Sequence, residues 1–376
     1  MRVFMSIAAL FARIIVVTFL TTIFSGNAFG IWIDPYIKGV DTKDVKIIKI
    51  DRYRFVDGGW REVDAMTAEY NNLGNLIKET RYTAEDILQF EYVYSYDQKG
   101  QLIKTKGRRM RRENIVPYEY IYKYDQRGNQ IESIGYGKDG SVTSRYTARY
   151  DINNNYIEGL RYEKGVAVSK YIAEYDERNN LLIESKYKVY QYKNAEHYQL
   201  EYKHLYTYDG KNNLITEKNY GNDGKLVNNH RYEYDADGNL IKGVSYGEDG
   251  SAISKYSAEY DSGNNLVKSI NFGPKGDITS KHIATYDKNS NLVKEMNCIG
   301  STTKPVYLAQ YDKADNLLEE THFGANMIKG NGLDYRYRYR YDNRNNRIEE
   351  IYYVFFKEKN HWKPITKQVN EISYQR

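Results

Sequence analysis

The sequence predicts an all-β protein built as an antiparallel β-hairpin repeat array. Three observations support this: a phrase beginning Tyr-Asp recurs about every 26 residues, each repeat contains two tight-turn signals, and apolar and polar residues alternate between the turns. A fixed period of this size is typical of repeat architectures. We expect about 11 units of about 26 residues, and the resulting 22 or so strands exceed the roughly 10 at which open sheets curl or split. The array should therefore coil into a spiral or shell.

Residues 1–30 have the pattern of a secretory signal peptide. Arg2 and Arg13 lie in the leading part, an apolar run covers Ile14 to Phe24, and small residues follow at Ala28 to Gly30. Because this run is shorter than the about 20 residues that span a bilayer, we expect cleavage and no dedicated membrane span afterwards. The alternative is an uncleaved anchor over residues 3–24.

The composition excludes several classes of protein. The chain has 41 Tyr, 5 Pro and a single cysteine, Cys298, so no intramolecular disulfide framework can form. Without Arg2 and Arg13, 53 basic residues stand against 50 acidic ones, which leaves a net charge of +3. This balance favours neither nucleic acid nor an anionic membrane as a dedicated partner.

Residues 31–69 read as a degenerate N-terminal strand or cap. An alternating stretch from Val45 to Phe55 predicts a strand, and Asp57 to Gly59 predicts a turn. Terminal units of repeat arrays often differ from the others because they cover an exposed edge. We expect the same of this segment.

The repeat array spans residues 70–355. Its anchor tyrosines, spaced 25 to 33 residues apart, are Tyr70, Tyr96, Tyr124, Tyr150, Tyr175, Tyr208, Tyr234, Tyr260, Tyr286, Tyr311 and Tyr341. Asp or Asn follows each anchor, and Gly or Asn stands at the fourth position after nine of the eleven. This pattern predicts a three-residue hairpin loop with a left-handed last residue. A second turn of the form Gly-x-Asp-Gly, as at 247–250, closes the other end of the unit.

Alternation along the strands predicts two different faces. With a three-residue loop, the anchor Tyr pairs with the residue six places on, and alternate residues share its face. In the unit around Tyr260 this predicts Ala258, Leu266 and Ile270 on the tyrosine face and Ser269 on the other. The same parity puts the aromatic residues that stand twelve places after nine of the eleven anchors on the tyrosine face; Arg108 and Cys298 interrupt this column.

A column of charges eight places after the anchors falls on the same predicted face. Its members are Lys78, Lys104, Glu132, Glu158, Lys242, Lys268, Lys294, Glu319 and Glu349. Burying so many ions without solvent is costly. We expect either that their stems cover neighbouring rings while the charged ends reach water at the sheet rim, or that this face borders a wet, tyrosine-lined groove.

Two units carry extra residues, which in repeat arrays fall in loops on one rim where binding often takes place. One insertion contains Tyr190, Tyr192 and His197, and the other covers residues 327–332. After the array, residues 356–376 predict a C-terminal cap strand that ends near Tyr374. A basic cluster beside one second turn predicts either a solvated hairpin tip or a contact with anionic glycan or lipid. This cluster is Arg108, Arg109, Arg111 and Arg112.

The phrase Tyr-Asp-x-x-Gly-Asn-Leu-Ile, present at 234–241 and nearly intact at 124–131, resembles the YD or RHS repeats of bacterial and animal cell-surface proteins. The resemblance covers roughly residues 70–355. It implies a long β-sheet that coils on itself, sometimes around a cavity, in exported proteins used for adhesion, glycan contact or packaging of a toxin. The units here are longer than is usual in that family, and no toxin domain or self-cleavage motif follows the array, so we do not expect toxin delivery.

No catalytic, cofactor-binding or metal-binding residue is predicted. The aspartates after the anchors are expected to form turns rather than act as paired catalytic carboxylates, and residues 235–239 lack the bidentate Glu of a calcium loop. His204, His230 and His282 stand four residues before an anchor, in a column otherwise held by Tyr, so we expect packing rings rather than metal ligands. Cys298 is expected to be a small buried hydrophobe.

These features predict an exported, non-enzymatic binding scaffold, secreted or periplasmic or at the cell surface of a bacterium. The predicted partner is an extended cell-surface glycan, because Tyr combines an apolar ring with a hydrogen-bonding tip and repetition makes weak contacts useful. The alternative partner is another exported protein, for which the chain would be a shell or assembly factor. The alternative to a non-enzymatic scaffold is a hydrolase whose site lies in the two insertions. An outer-membrane barrel with aromatic girdles is disfavoured by the mean hydropathy of −0.77.

Overall fold

The computed structural model describes residues 44–111, 114–193, 195–299, 302–324, 334–356 and 359–374. The predicted signal peptide, the insertion at 327–332 and Arg112 lie outside these ranges. The described chain is all-β. None of its helical segments has the length and apolar character that crossing a bilayer requires.

The described ranges contain 24 strands that follow one another as antiparallel hairpins. They are β1 (Val45–Val56), β2 (Gly59–Tyr70), β3 (Leu76–Thr83), β4 (Leu88–Tyr96), β5 (Leu102–Arg111), β6 (Asn114–Tyr124), β7 (Gln130–Tyr136), β8 (Val142–Tyr150), β9 (Tyr156–Glu163), β10 (Val166–Tyr175), β11 (Leu181–Tyr192), β12 (Ala195–Tyr208), β13 (Leu214–Tyr220), β14 (Leu226–Tyr234), β15 (Leu240–Gly247), β16 (Ala252–Tyr260), β17 (Leu266–Phe272), β18 (Ile278–Tyr286), β19 (Leu292–Ile299), β20 (Thr302–Tyr311), β21 (Leu317–His322), β22 (Tyr335–Tyr341), β23 (Arg347–Phe356) and β24 (His361–Tyr374).

The predicted turns after the anchor tyrosines are confirmed. All eleven fourth-position residues have a positive φ, between 59° and 91°. In the turn after Tyr96, Asp97 Oδ1 accepts hydrogen bonds from the backbone N–H groups of Lys99 and Gln101, both at 2.9 Å. The aspartate therefore satisfies two donors that the tight turn leaves free. These turns all lie at one end of the strands, which we call the tyrosine rim.

Hydrogen bonds between neighbouring units hold the tyrosine rim together. From the second anchor onward, each anchor hydroxyl donates to the backbone carbonyl six places after the preceding anchor, at 2.7 to 3.2 Å. Asparagine side chains also bridge successive turns, as where Asn155 Nδ2 donates to Asn179 Oδ1 at 2.8 Å. The repeated Tyr and Asn thus link units that local backbone pairing alone would leave independent at this rim.

A β-bulge overturns the predicted assignment of faces. Tyr260 pairs with Leu266 as predicted, but Glu259 pairs with Lys268, so one extra residue enters the strand after Leu266. Such a bulge shifts every following side chain to the opposite face. Ser269 therefore lies on the tyrosine face, where it is buried, and Ile270 lies on the other. The same shift recurs in every unit, so the charges at position eight and the aromatics at position twelve lie opposite the anchor tyrosines.

The prediction of a spiral or shell is wrong, because the sheet closes into a barrel. Each strand pairs with the next along the chain, and β1 pairs with β24 over Val45 to Arg54. The first and last segments, expected to cover open edges, instead supply the two strands that close the ring. An open sheet of 24 strands would have two edge strands with unpaired backbone donors and acceptors. Closure of the sheet removes both edges.

The register fixes the size of the barrel. Ala68 pairs with Glu79 and Glu79 with Tyr92, so each hairpin moves the pairing two residues further from its anchor. Twelve hairpins then give a shear of about 24, equal to the strand number. A circular barrel of this type has strands tilted by about 37° and a backbone radius of about 20 Å. The core is consequently a layer of side chains along the wall rather than a solid centre.

The tyrosine face lines the inside of the barrel. Along β2, Asp64, Met66, Ala68 and Tyr70 are buried, whereas the alternate residues are not. In a closed sheet the side chains of the concave face converge and cover one another. The register gives a second argument. Strands of a closed sheet coil around the barrel axis with a right-handed sense. Given that sense, the direction in which the pairing shifts from hairpin to hairpin, together with the L-configuration of the residues, puts the tyrosine face inside.

The outer face carries the charges. Glu132 forms ion pairs with Lys123 at 2.7 Å and with Arg145 at 2.5 Å, one from each flanking strand. Glu158 forms the same kind of ion pairs with Arg149 and Lys170. The column of charges thus forms cross-strand ion pairs in contact with solvent. The expectation of a wet, tyrosine-lined groove beside this column is wrong, because the column lies on the face opposite the anchor tyrosines.

Candidate functional site

The inner wall carries paths of aromatic rings. One path runs through Phe90, Tyr92, Tyr118, Tyr120 and Tyr122, with successive ring centroids 5.0 to 6.4 Å apart. Tyr92 and Tyr118 lie on β4 and β6 and meet across Gly107 of β5. A Cβ at Gly107 would collide with the Tyr92 ring. The glycine is therefore required for the rings to touch over the intervening strand.

A second path runs along β20 to β22. It passes through Tyr307, His322, Tyr335, Tyr337 and Tyr339, with successive centroids 4.6 to 6.2 Å apart. Most of these rings are only partly buried, so their edges border the interior. The first path crosses from β4 to β6 and then follows β6, and the second crosses from β20 to β22 and then follows β22. Each path offers an extended ligand a row of aromatic rings.

Six glutamates stand nine residues after an anchor, on the inner face beside the rings. They are Glu79, Glu184, Glu217, Glu295, Glu320 and Glu350. Three of them are among the most buried polar side chains of the described chain, with Glu79, Glu184 and Glu217 only 3% to 5% exposed. Carboxylates so far from solvent need hydrogen-bond donors to remain charged.

Glu184 accepts hydrogen bonds from three side chains. The hydroxyls of Tyr171 and Tyr206 donate to Oε2 and Oε1 at 2.9 and 2.7 Å, and Nδ1 of His204 lies 3.1 Å from Oε1. Burial opposes ionisation of the carboxyl, but the hydrogen bonds from His204, Tyr206 and Tyr171 outweigh it, so the pKa of Glu184 lies below its ordinary value. Burial and the neighbouring carboxylate raise the pKa of both tyrosines.

Glu320 repeats this arrangement five units along the wall. Tyr339 donates to its Oε1 at 2.5 Å, and Nε2 of His322 lies 3.2 Å from Oε2. Its pKa is again lowered: burial raises it, and the hydrogen bonds from His322 and Tyr339 more than compensate. Glu350 differs, because burial raises its pKa and Arg347 offsets only part of that effect.

Tyrosine and histidine side chains supply the hydrogen-bond donors at these centres. The carboxylates accept hydrogen bonds from Tyr and His, and burial raises the pKa of the donating tyrosines Tyr206 and Tyr339. Within the described ranges, no three His, Cys, Asp or Glu side chains are grouped so as to hold a metal ion. The wall therefore offers ring edges and hydrogen-bonding groups to a ligand.

No family model and no curated protein matches the chain. Among solved structures, the complex of TcdB2, TccC3 and Cdc42 is similar over 86% of this chain and 20% of its own length, with 13% identity and a TM-score of 0.40. A porin-like protein from Bacteroides uniformis is similar over 89% of this chain and 99% of its own, with 10% identity and a TM-score of 0.23. This chain thus spans one fifth of the first structure. Scores this low transfer neither a fold nor a function.

The predicted packing histidines lie where the sequence placed them, on the inner face among the tyrosines. His204 stacks on Tyr202 with centroids 4.8 Å apart, His230 stacks on Tyr232, and His282 contacts Glu295 at 3.2 Å. Cys298 was predicted to be a buried hydrophobe. It is instead partly exposed on the outer face, with its Sγ 3.0 Å from Thr303 Oγ1.

Of the basic cluster, Arg108 is bound to Glu91 at 3.1 Å on the outer face. The aromatic insertion lies at the tip of the β11–β12 hairpin, on the rim opposite the tyrosine rim. There Tyr190 stacks on His197, with centroids 5.6 Å apart. Tyr190 and Tyr192 are 47% and 56% exposed.

Sequence reasoning missed the inner glutamates. Their signal is present, because position nine reads Glu in six of eleven units and Ser, Thr or Gly in the others. Alternation without a bulge assigned this column to the outer face, where charges are unremarkable. The position of the bulge was therefore the missing information.

Proposed function

We propose that the chain is an exported, non-enzymatic scaffold whose inner wall binds an extended, uncharged polysaccharide. The observation that carries this is the pair of aromatic paths on the concave face, 4.6 to 6.4 Å from ring to ring. Partly exposed rings bind the apolar faces of sugars, and adjacent hydroxyl, imidazole and carboxylate groups suit sugar hydroxyls. The Tyr-Asp phrase and its resemblance to repeats of exported proteins also support an exported binding scaffold.

The charge distribution limits the classes of ligand that the inner wall can bind. The six inner glutamates repel a polyanionic glycan, and three inner arginines are already in ion pairs, Arg52 and Arg81 with Asp64 and Arg347 with Glu350. The convex face carries Lys and Arg side chains at its middle, where contact with lipid would cost about 2–4 kcal/mol for each. This disfavours the outer-membrane alternative despite the barrel closure.

A glycan array probed with residues 31–376 tests the proposal. We expect binding to one or more neutral polymers and about tenfold weaker binding after Tyr337→Ala, which removes a ring that links two others in the second path. Tyr246→Ala is the matched control, because Tyr246 lies on the outer face under Arg231. Binding that both variants reduce equally, or no binding to any polymer, would contradict the proposal.

A protein partner is the second candidate. The exposed aromatic tip of the β11–β12 hairpin favours it, since exposed Tyr is typical of protein interfaces. Silence on the glycan array together with stoichiometric co-purification of one exported protein would make this the better assignment.

A further inference from the structure

The β11–β12 hairpin projects beyond both of its neighbours. Pairing of β11 with β10 ends at Lys188, and pairing of β12 with β13 begins only at Lys203. Residues 195–200 of β12 therefore pair with β11 alone among the described strands. This is a stretch of free strand edge.

The backbone groups of this edge can be assigned from the hairpin register. Tyr192 pairs with Ala195 across a two-residue loop, and the residues that flank such a loop form a hydrogen-bonded pair. Hydrogen-bonded and non-hydrogen-bonded pairs alternate from there. The N–H and C=O groups of Glu196, Tyr198 and Leu200 consequently point away from β11, toward the free side.

We propose that this edge binds an extended segment of a partner protein by β-strand addition. Three outward-facing residues in alternation provide the backbone hydrogen bonds that such recognition uses. An edge of five residues buries far less than the roughly 1,000 Å² of a stable dimer interface, which fits a peptide segment better than a second copy of the chain.

The side chains of the edge specify the partner's chemistry. In an antiparallel added strand, the residues opposite Leu200 and Tyr198 are aliphatic or β-branched, and the residue opposite Glu196 is basic. The carboxylate of Glu196 accepts a hydrogen bond from the Tyr198 hydroxyl at 2.5 Å, which holds both side chains beside the edge. The surface is separate from the inner wall, so it does not depend on glycan binding.

The probe is a fluorescent, capped hexapeptide, Val-Thr-Ile-Thr-Lys-Thr, titrated against residues 31–376 and followed by anisotropy. We expect saturable binding below about 1 mM, at least tenfold weakening when the Ile nitrogen is methylated, and about threefold weakening with Glu196→Lys. A peptide with Glu in place of Lys should recover binding to that variant. Glu248→Lys, on the exposed β15–β16 turn, is the matched control and should change nothing.

Other outcomes overturn the proposal. Absent binding, equal binding of the methylated peptide, or equal effects of the two charge reversals would each remove strand addition at this edge. Sedimentation of the chain as a dimer that Glu196→Lys dissociates would show that a second copy occupies the edge instead.

Discussion

Replacing Glu184 by Gln tests whether the inner carboxylates stabilise the wall. The carboxylate accepts from Tyr171, Tyr206 and His204 at 2.7 to 3.1 Å. Gln keeps the shape but offers one neutral acceptor in place of two charged ones. Hydrogen bonds to charged groups contribute about 1 kcal/mol more than neutral ones, so three of them give an expected loss of about 3 kcal/mol in the free energy of unfolding. Glu217→Gln is the matched control, because the tyrosine donor described there, Tyr232, lies 3.4 Å away, and it should cost less than about 1 kcal/mol.

The pH dependence distinguishes the carboxylate's charge from its shape. The pKa of Glu184 is lower in the folded chain than the about 4.3 of an unfolded Glu. Its contribution is therefore present above about pH 4.3 and is lost as the pH falls through the lower folded pKa. Urea unfolding from pH 7 to pH 3 should show a difference between wild type and Glu184→Gln that is largest at pH 7 and shrinks in acid. Equal stabilities at pH 7, or a difference that stays constant to pH 3, would refute the reasoning.

Three further predictions concern the wall and the tyrosine rim. Gly159→Ala should lower the free energy of unfolding by about 1–3 kcal/mol, because the new Cβ would lie 2.8 Å from Tyr156 Cζ. In the matched variant Gly243→Ala, at the same position of another unit, the new Cβ meets nothing closer than 3.6 Å. This variant should be neutral or slightly stabilising in urea unfolding. Tyr234→Phe removes the hydroxyl that donates to Leu214 O at 2.9 Å and should cost about 1 kcal/mol by the same measurement, while Tyr246→Phe on the outer face should cost less. Burial, with smaller contributions from nearby acidic or tyrosine side chains, raises the pKa of Tyr96, Tyr175, Tyr208 and Tyr234 to about 12. The stability they confer is present below the unfolded pKa of about 10 and is lost as the pH rises toward 12, so tyrosinate absorbance and loss of β-structure should rise together in one alkaline transition; gradual titration near pH 10 with the sheet intact would contradict this.

The local geometry of the repeat could be predicted, and its closure could not. The turn at Asp97 to Gly100 and the pairing of Tyr260 with Leu266 follow from three-residue hairpin chemistry that involves neighbours in sequence. The bulge after Leu266 has no such marker, because the extra residue, Val267, is an ordinary strand former. Closure depends on pairing β1 with β24, strands that lack the Tyr-Asp phrase and lie about 300 residues apart.

The candidate site could be predicted only in part, because the bulge was not predicted. The sequence predicted an aromatic face with packing histidines, and His204 and His230 lie there. Because the bulge moves all later positions to the other face, the charged column was assigned to the tyrosine face, and strict alternation gave no reason to single out Glu184. One misplaced residue per hairpin thus exchanged the solvent-facing and interior charges.

Because the strand number and the shear are equal, the width of the barrel interior changes in fixed steps when hairpins are added or removed. Each hairpin contributes two strands and two residues of register drift, so both numbers rise in equal steps and the strand tilt stays constant. In-frame duplication or loss of one 26-residue unit would preserve each contact between neighbouring hairpins and change only the circumference, by about 10 Å. Copying one segment of the chain would therefore change the width of the interior without any change to the contacts within the wall.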